Sequence, residues 1–142
     1  LYQPLLKEIF QSIAENKPID PIHGIGVKIH NNLFENVSLD EGQFNFVFFD
    51  AFSPEANPDL WTVEVFEKVF EASSEDVVLT SYCAASSARA AMAKAGFCLA
   101  RARGALGKRE MTIAAKMETK LSGFKRINES RLINRWDLGE FS

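Results

Sequence analysis

The residue best placed for chemistry is Asp50, which follows the apolar run Phe46 to Phe49. That run is short, aromatic and β-branched, and polar or turn residues bound it. It reads as a strand buried on both faces, as inside a parallel sheet. After Asp50 come Ala51, Phe52, Ser53, Pro54, Asn57 and Pro58, a composition that ends a strand and shapes a loop. Open α/β sheets bind ligands just beyond the carboxyl ends of their strands. A carboxylate there, with aromatics on both sides, is a candidate site, although aspartate also serves as a plain turn or capping residue. The second candidate set is cationic: Arg89, Arg101, Arg103, Lys108 and Arg109. These residues suit either a polyanion or simply a solvated surface, and Arg109 beside Glu110 also suits a local ion pair. Cys83 and Cys98 form no paired metal-ligand motif, so a reduced chain without metal is expected.

The charges are unevenly spread. Leu1 to Ala84 holds four Lys/Arg against fourteen Asp/Glu, and Ala85 to Arg135 holds twelve against three. A basic block in a chain of net charge -3 points to a polyanion-facing surface. No apolar run approaches the ~20 residues of a membrane span, and no signal-peptide pattern opens the chain. A cytoplasmic location is expected. At 142 residues one domain is expected, with about 68–70% of its unfolded surface buried. Leu1 is not an initiator methionine, which points to a piece of a longer protein.

The elements that must position these residues follow from periodicity. Leu5, Leu6, Ile9, Phe10 and Ile13 mark one face of a helix over Leu1 to Glu15, ended by Pro18 and Pro21. Ile25, Val27 and Ile29 alternate as a strand over Gly24 to His30, and Asn31 and Asn32 sit at its end. Leu33 to Val37 suits a single helical turn. After the Asp50 loop, Asn57 and Pro58 suit the start of a helix whose buried face is Leu60, Val63, Phe66, Val69 and Phe70. Ser73 to Asp76 breaks that helix before a strand over Val77 to Tyr82. An Ala-rich helix then runs from Ser86 or Ser87 to Ala95, with Gly96 as its C-terminal cap. Strands follow at Phe97 to Arg103 and Met111 to Met117, with a basic helix inside Gly123 to Trp136. The alternation implies parallel strands with helical crossovers. The last two strands are joined by too short a loop for a crossover, so one strand near the C-terminus is expected to run antiparallel.

Two blocks carry a family resemblance. The first is Phe49, Asp50, Ala51, Phe52, Ser53 and Pro54, followed by Asn57, Pro58, Leu60, Trp61 and Thr62. The second is Thr80, Ser81 and Tyr82, then Arg89, Ala95, Gly96, Phe97, Gly104 and Lys108, Arg109, Glu110, Met111. Together they resemble the MnmC-type methyltransferase domain, from the bacterial enzyme that completes 5-methylaminomethyl-2-thiouridine in tRNA. That domain occurs alone or fused to a flavin-dependent (FAD) oxidase. The resemblance implies a Rossmann-like methyltransferase sheet, S-adenosyl-L-methionine as methyl donor, and the wobble uridine in a tRNA anticodon loop as target. The family's first strands and its glycine-rich donor loop have no counterpart here. His23, Gly24, Ile25 and Gly26 precede a strand instead of joining strand to helix. The single domain of residues 1–142 is therefore expected to be the C-terminal portion of such a domain. Ala105 stands where the family carries an aromatic.

The resemblance assigns roles. An alkylammonium like that of lysine has a pKa near 10.4 and carries no lone pair at pH 7. Asp50, the implied catalytic residue, would accept its proton and hold the nitrogen. Asn31, Asn32, Asp50, Ala51, Phe52 and Tyr82 are the implied donor contacts, with Asn31 or Asn32 at the adenine. Phe52 and Tyr82 are equally compatible with ordinary core. Pro54, Asn57, Pro58, Arg89, Lys108 and Arg109 are the implied tRNA side, although Asn57 and Pro58 also fit simple helix initiation. Trp61 reads as packing. Two other readings stand beside this one. One is aminopropyl transfer of the polyamine-synthase kind, which shares the strand-end aspartate but needs no basic half. The other is a non-catalytic RNA-binding or assembly module.

Overall fold

The computed structural model describes residues 3–15, 17, 19–22, 25–104 and 110–141. They group into two compact units, Leu1–Ser38 and Leu39–Ser142. In the first unit, α1 spans Gln3–Glu15, and β1 (Ile19–Ile22) pairs antiparallel with β2 (Ile25–Val27). The sequence pattern misses β1, because Pro18 and Pro21 read only as breakers. A two-stranded ribbon has no inner strand, so it tolerates a proline that lacks a donor. A single 3-10 turn, Phe34–Asn36, lies where one turn of helix is expected.

The second unit is a five-stranded sheet with helices. Its strands are β3 (Phe44–Phe48), β4 (Ser73–Ser81), β5 (Cys98–Ala102), β6 (Met111–Ala115) and β7 (Lys125–Arg126). Their order across the sheet is β3-β4-β6-β5-β7. β3 and β4 are parallel, with Phe46 opposite Val78 and Phe48 opposite Thr80. β6 lies antiparallel between β4 and β5, pairing Ser81 with Thr112 on one side and Leu99 with Ala114 on the other. The short β5–β6 connection thus forces the antiparallel pairing expected of it. β7 is a second antiparallel strand, which a two-residue element gives no pattern to reveal.

α2 (Val63–Ala72) links β3 to β4 and buries Phe66, Val69 and Ala72. Its cap is Thr62, whose hydroxyl accepts from the Val65 N–H, not the expected Asn57. Asn57 and Pro58 start a separate 3-10 turn, Pro58–Leu60, with no side-chain cap. Strand β4 begins directly at Ser73, whose hydroxyl bonds back to the Val69 carbonyl at 2.7 Å. α3 (Ser86–Lys94) buries Ala88 through Ala93, because alanines let the helix backbone approach the sheet. Gly96 ends it at φ +105, with Phe97 N–H bonding to Met92 O and Gly96 N–H to Ala93 O. That left-handed turn is open to glycine without strain, and a Cβ there would stand 3.3 Å from the Phe70 ring. α4 (Glu129–Asp137) is capped by Asn128 and tied to α3 by a Lys94–Asp137 ion pair at 2.8 Å.

The core has two layers. Phe66, Val77, Leu79, Leu99 and Ala114 are buried, as are Ala90, Ala91 and Met92 of α3. On the sheet, Ala100, Ile113 and Ala115 cluster with Leu121, and Val78, Cys98 and Ala102 pack against them.

Candidate functional site

A pocket of about 260 Å³ opens where β3 and β4 end and β6 begins. Its lining is Phe46, Phe48, Phe49, Asp50, Thr80, Ser81, Tyr82 and Met111. Parallel pairing brings the ends of β3 and β4 side by side, and the antiparallel β6 contributes its first residue at the same level. Asp50 is exposed in this pocket, so its carboxylate is open to an incoming ligand. Four of the seven other lining residues are aromatic, joined by Thr80, Ser81 and Met111.

The strand that carries Asp50 corrects the sequence reading. β3 is an edge strand of its sheet, not one buried on both faces. Phe49 packs against Trp61 and Phe66, at ring separations of 5.2 and 5.0 Å. Phe46 and Phe48 stand 54% and 79% exposed, tilted together at 4.9 Å. An unbroken apolar run does not distinguish a covered face from an aromatic ligand wall.

The loop after Asp50 is fastened from within. The Ser53 carbonyl accepts from both Ala56 and Asn57 N–H at 2.9 Å, which folds the Pro54 segment into a tight turn. The Trp61 indole N–H donates to the Phe52 carbonyl at 2.7 Å. Trp61 is buried, so it packs, as the sequence indicates. Phe52 is 78% exposed and does not line the Asp50 pocket. Ala51 is half-buried in the loop backbone. Pro54 and Pro58 line a different cleft of about 630 Å³, together with Trp61, Lys94, Trp136 and Phe141. Asn57 is half-buried beside them in sequence.

Of the implied donor residues, the structure gathers Asp50 and Tyr82 in one pocket. Asn31 and Asn32 are exposed residues of the first unit, where the Asn32 side chain accepts from the Leu33 N–H at 2.8 Å. Lys108, Arg109 and Ala105 lie outside the described residues.

Arg89 is the clearest correction. Expected to meet tRNA, it is 6% exposed, held behind the pocket by its own helix of small residues. Its Nε donates to Thr112 Oγ1 at 2.9 Å, and Thr112 Oγ1 donates to the Cys83 carbonyl at 2.6 Å. Its Nη2 sits 2.7 Å from Glu110 Oε1. The Arg89 guanidinium beside it holds the Glu110 carboxyl below the usual carboxylate range, and Arg101 adds its charge. Among the described residues Glu110 pairs with Arg89 and Arg101. Burial pushes the Cys83 thiol up, away from thiolate chemistry. Thr80, Ser81 and Met111 also line the pocket, and all three stand in the second of the two blocks that carry the resemblance. Among the described residues no cluster of His, Cys, Asp and Glu is built to hold a metal. No helix among them is long and apolar enough to cross a membrane.

A mixed sheet with an antiparallel strand inserted at its centre, and a carboxylate pocket at its strand ends, describes a Rossmann-like transferase. The chain belongs to an S-adenosyl-L-methionine-dependent methyltransferase family, whose sequence model matches residues 1–117. It is 40% identical over 68 residues to the tRNA 5-methylaminomethyl-2-thiouridine biosynthesis bifunctional protein MnmC of Ralstonia nicotianae, a match covering 48% of this chain and 10% of that protein. The protein of that name from Leptospira interrogans is 32% identical over 96 residues, covering 64% and 15%. The crystal structure of MNMC2 from Aquifex aeolicus superposes with a TM-score of 0.63 at 24% identity, over 95% of this chain and 43% of that one. That likeness shows the Rossmann-like methyltransferase fold. The chain spans only a small part of the curated relatives it matches.

Proposed function

We propose that this chain carries the amine-handling side of an S-adenosyl-L-methionine-dependent methylation of the 5-aminomethyl nitrogen of wobble 2-thiouridine in tRNA. The observation that carries the reading is the exposed Asp50 carboxylate in an aromatic pocket at the strand ends. The relatives' names favour this target over a polyamine.

The pocket's chemistry suits a sulfonium donor. Aromatic faces at Phe46, Phe48 and Tyr82 attract a cation, and the Asp50 carboxylate is left to face the substrate amine. When bound, the donor supplies an electrophilic methyl group. Asp50 does the rest of the proton work. One carboxylate oxygen accepts a hydrogen bond from the substrate ammonium, orients the nitrogen and takes its proton, so that the lone pair is exposed. Once Asp50 has passed that proton to solvent, its regained charge would balance the methylated ammonium product. The Thr80 hydroxyl offers a polar contact at the pocket wall, whereas Ser81 is buried and its hydroxyl accepts from the Cys83 N–H. Asn31 and Asn32 would serve the adenine amino group, and Ala51 and Phe52 the donor's flank. Pro54, Asn57 and Pro58 would border the substrate. Arg101, Arg103, Lys108 and Arg109 would meet the phosphates of the anticodon loop, whose unstacked base enters the pocket. A flavin-dependent oxidase, fused or separate, would act on the same nucleoside. The setting would be the cytoplasm.

Radiolabelled methyl transfer to tRNA tests the reading. Asp50→Ala is expected to lower turnover by about 100-fold or more, the scale of general acid–base catalysis, while calorimetric donor affinity stays within about threefold. Equal losses of affinity and turnover would make Asp50 structural. A wild-type chain that binds tRNA without transferring methyl would favour the binding-module reading.

A further inference from the structure

We propose that Arg89, Glu110 and Thr112 form a buried brace that positions the Tyr82 and Met111 walls of the Asp50 pocket, making them positioning residues for the reaction. The inference rests on the reading of that pocket as the methyl-transfer site. It starts from adjacency along the chain. Tyr82 immediately precedes Cys83, whose carbonyl accepts from Thr112. Met111 stands between Glu110, paired with Arg89, and Thr112, which accepts from Arg89. One guanidinium therefore grips both sides of the β6 residue that lines the pocket. Through the Thr112 hydroxyl it also grips the turn after β4. Thr112 is fully buried, and its single hydroxyl is used once as acceptor and once as donor.

The chemistry of the pair argues against a decorative role. Arg89 Nη2 makes the ion pair but no hydrogen bond of good geometry. A guanidinium held in that state is costly to bury, and apolar packing would serve stability as well. What apolar side chains would not supply is direction. The fork fixes β6 relative to the end of β4, where Ser81 opposite Thr112 is the last of four register pairs. Arg101 Nη1, 3.5 Å from the other Glu110 oxygen, holds the carboxylate from its exposed side.

The test uses the full chain with Tyr2→Phe and 3-fluorotyrosine, so that Tyr82 gives the one fluorine resonance. Thr112→Val removes the hydroxyl at nearly constant volume, Thr112→Ser keeps it, and Glu110→Gln keeps the shape without the charge. Thr112→Val and Glu110→Gln are expected to shift the Tyr82 resonance. They should also raise the KM for tRNA about tenfold with kcat within about threefold, whereas a mere loss of folded enzyme lowers kcat alone. Thr112→Ser is expected to restore both. An unmoved Tyr82 resonance in Thr112→Val, or a Thr112→Ser variant as impaired as Thr112→Val, would overturn the brace. If the wild-type chain transfers no methyl at all, the functional reading fails, and the fluorine spectra still decide the brace.

Discussion

Trp61 fastens the Asp50 loop with one bond. Its ring lies edge-on to Phe49, and its indole N–H reaches nine residues back to the Phe52 carbonyl. Trp61→Phe keeps an aromatic in place and removes the donor. The expected cost is about 1 kcal/mol in urea unfolding, the usual net worth of one such bond. Methyl transfer should fall by more than that stability loss explains, because the carboxylate is then tied to a looser loop. At this scale the sequence is partly legible. The apolar bulk of Trp61 marks it as core, whereas a bond between a ring nitrogen and a distant carbonyl leaves no pattern. Arg89 is the opposite case. A cation in an Ala-rich helix reads as a solvated charge, yet the same alanines bring the helix so close to the sheet that the arginine is enclosed.

At the scale of elements, α4 is joined to the sheet through one carboxylate. Glu129 accepts from the Leu99 N–H at 2.6 Å and from Arg126 at 2.9 Å. Burial raises its pKa, but the Leu99 N–H and Arg126 outweigh that, and the net shift is downward from 4.5. A folded-state pKa below the unfolded one gives stability that is present above the unfolded value and fades as pH falls through the folded one. Glu110, also shifted downward, acts in the same direction. Glu129→Gln is therefore expected to be less stable than wild type at pH 7, with a flatter loss of stability below about pH 4.5. Urea midpoints measured from pH 7 to pH 3 check this. Helices α2 and α3 and strands β4 to β6 were readable because their periods and breakers are strong. β7 was not, because two residues have no period. The open face of β3 was not readable either, since aromatic residues give the same run whether or not a layer covers them.

Over the whole molecule, the basic block is less free than its count implies. Among the described residues, Arg89, Lys94, Arg101, Lys116, Lys120, Arg126 and Arg135 all hold carboxylates. Much of the cationic charge among the described residues is thus paired with carboxylates of this same chain. Each cation that does meet a phosphate then weighs heavily in the salt dependence of binding. Lys108→Ala with Arg109→Ala is expected to lower the slope of log affinity against log salt by roughly one to two units, and to weaken tRNA binding whatever its sequence. An unchanged slope would remove both residues from the RNA surface.

The placement of β6 has a consequence for biosynthesis. The strand that fills the middle of the sheet is made after both of its neighbours. Until residues 111–115 leave the ribosome, β4 and β5 each present an unsatisfied edge toward a gap. A nascent chain stalled before that point would hold two sticky borders apart with nothing between them, the condition in which strands recruit foreign partners. The centre of this sheet closes only after both of its flanks are made, like a keystone, and the growing chain must be kept from closing on something else first.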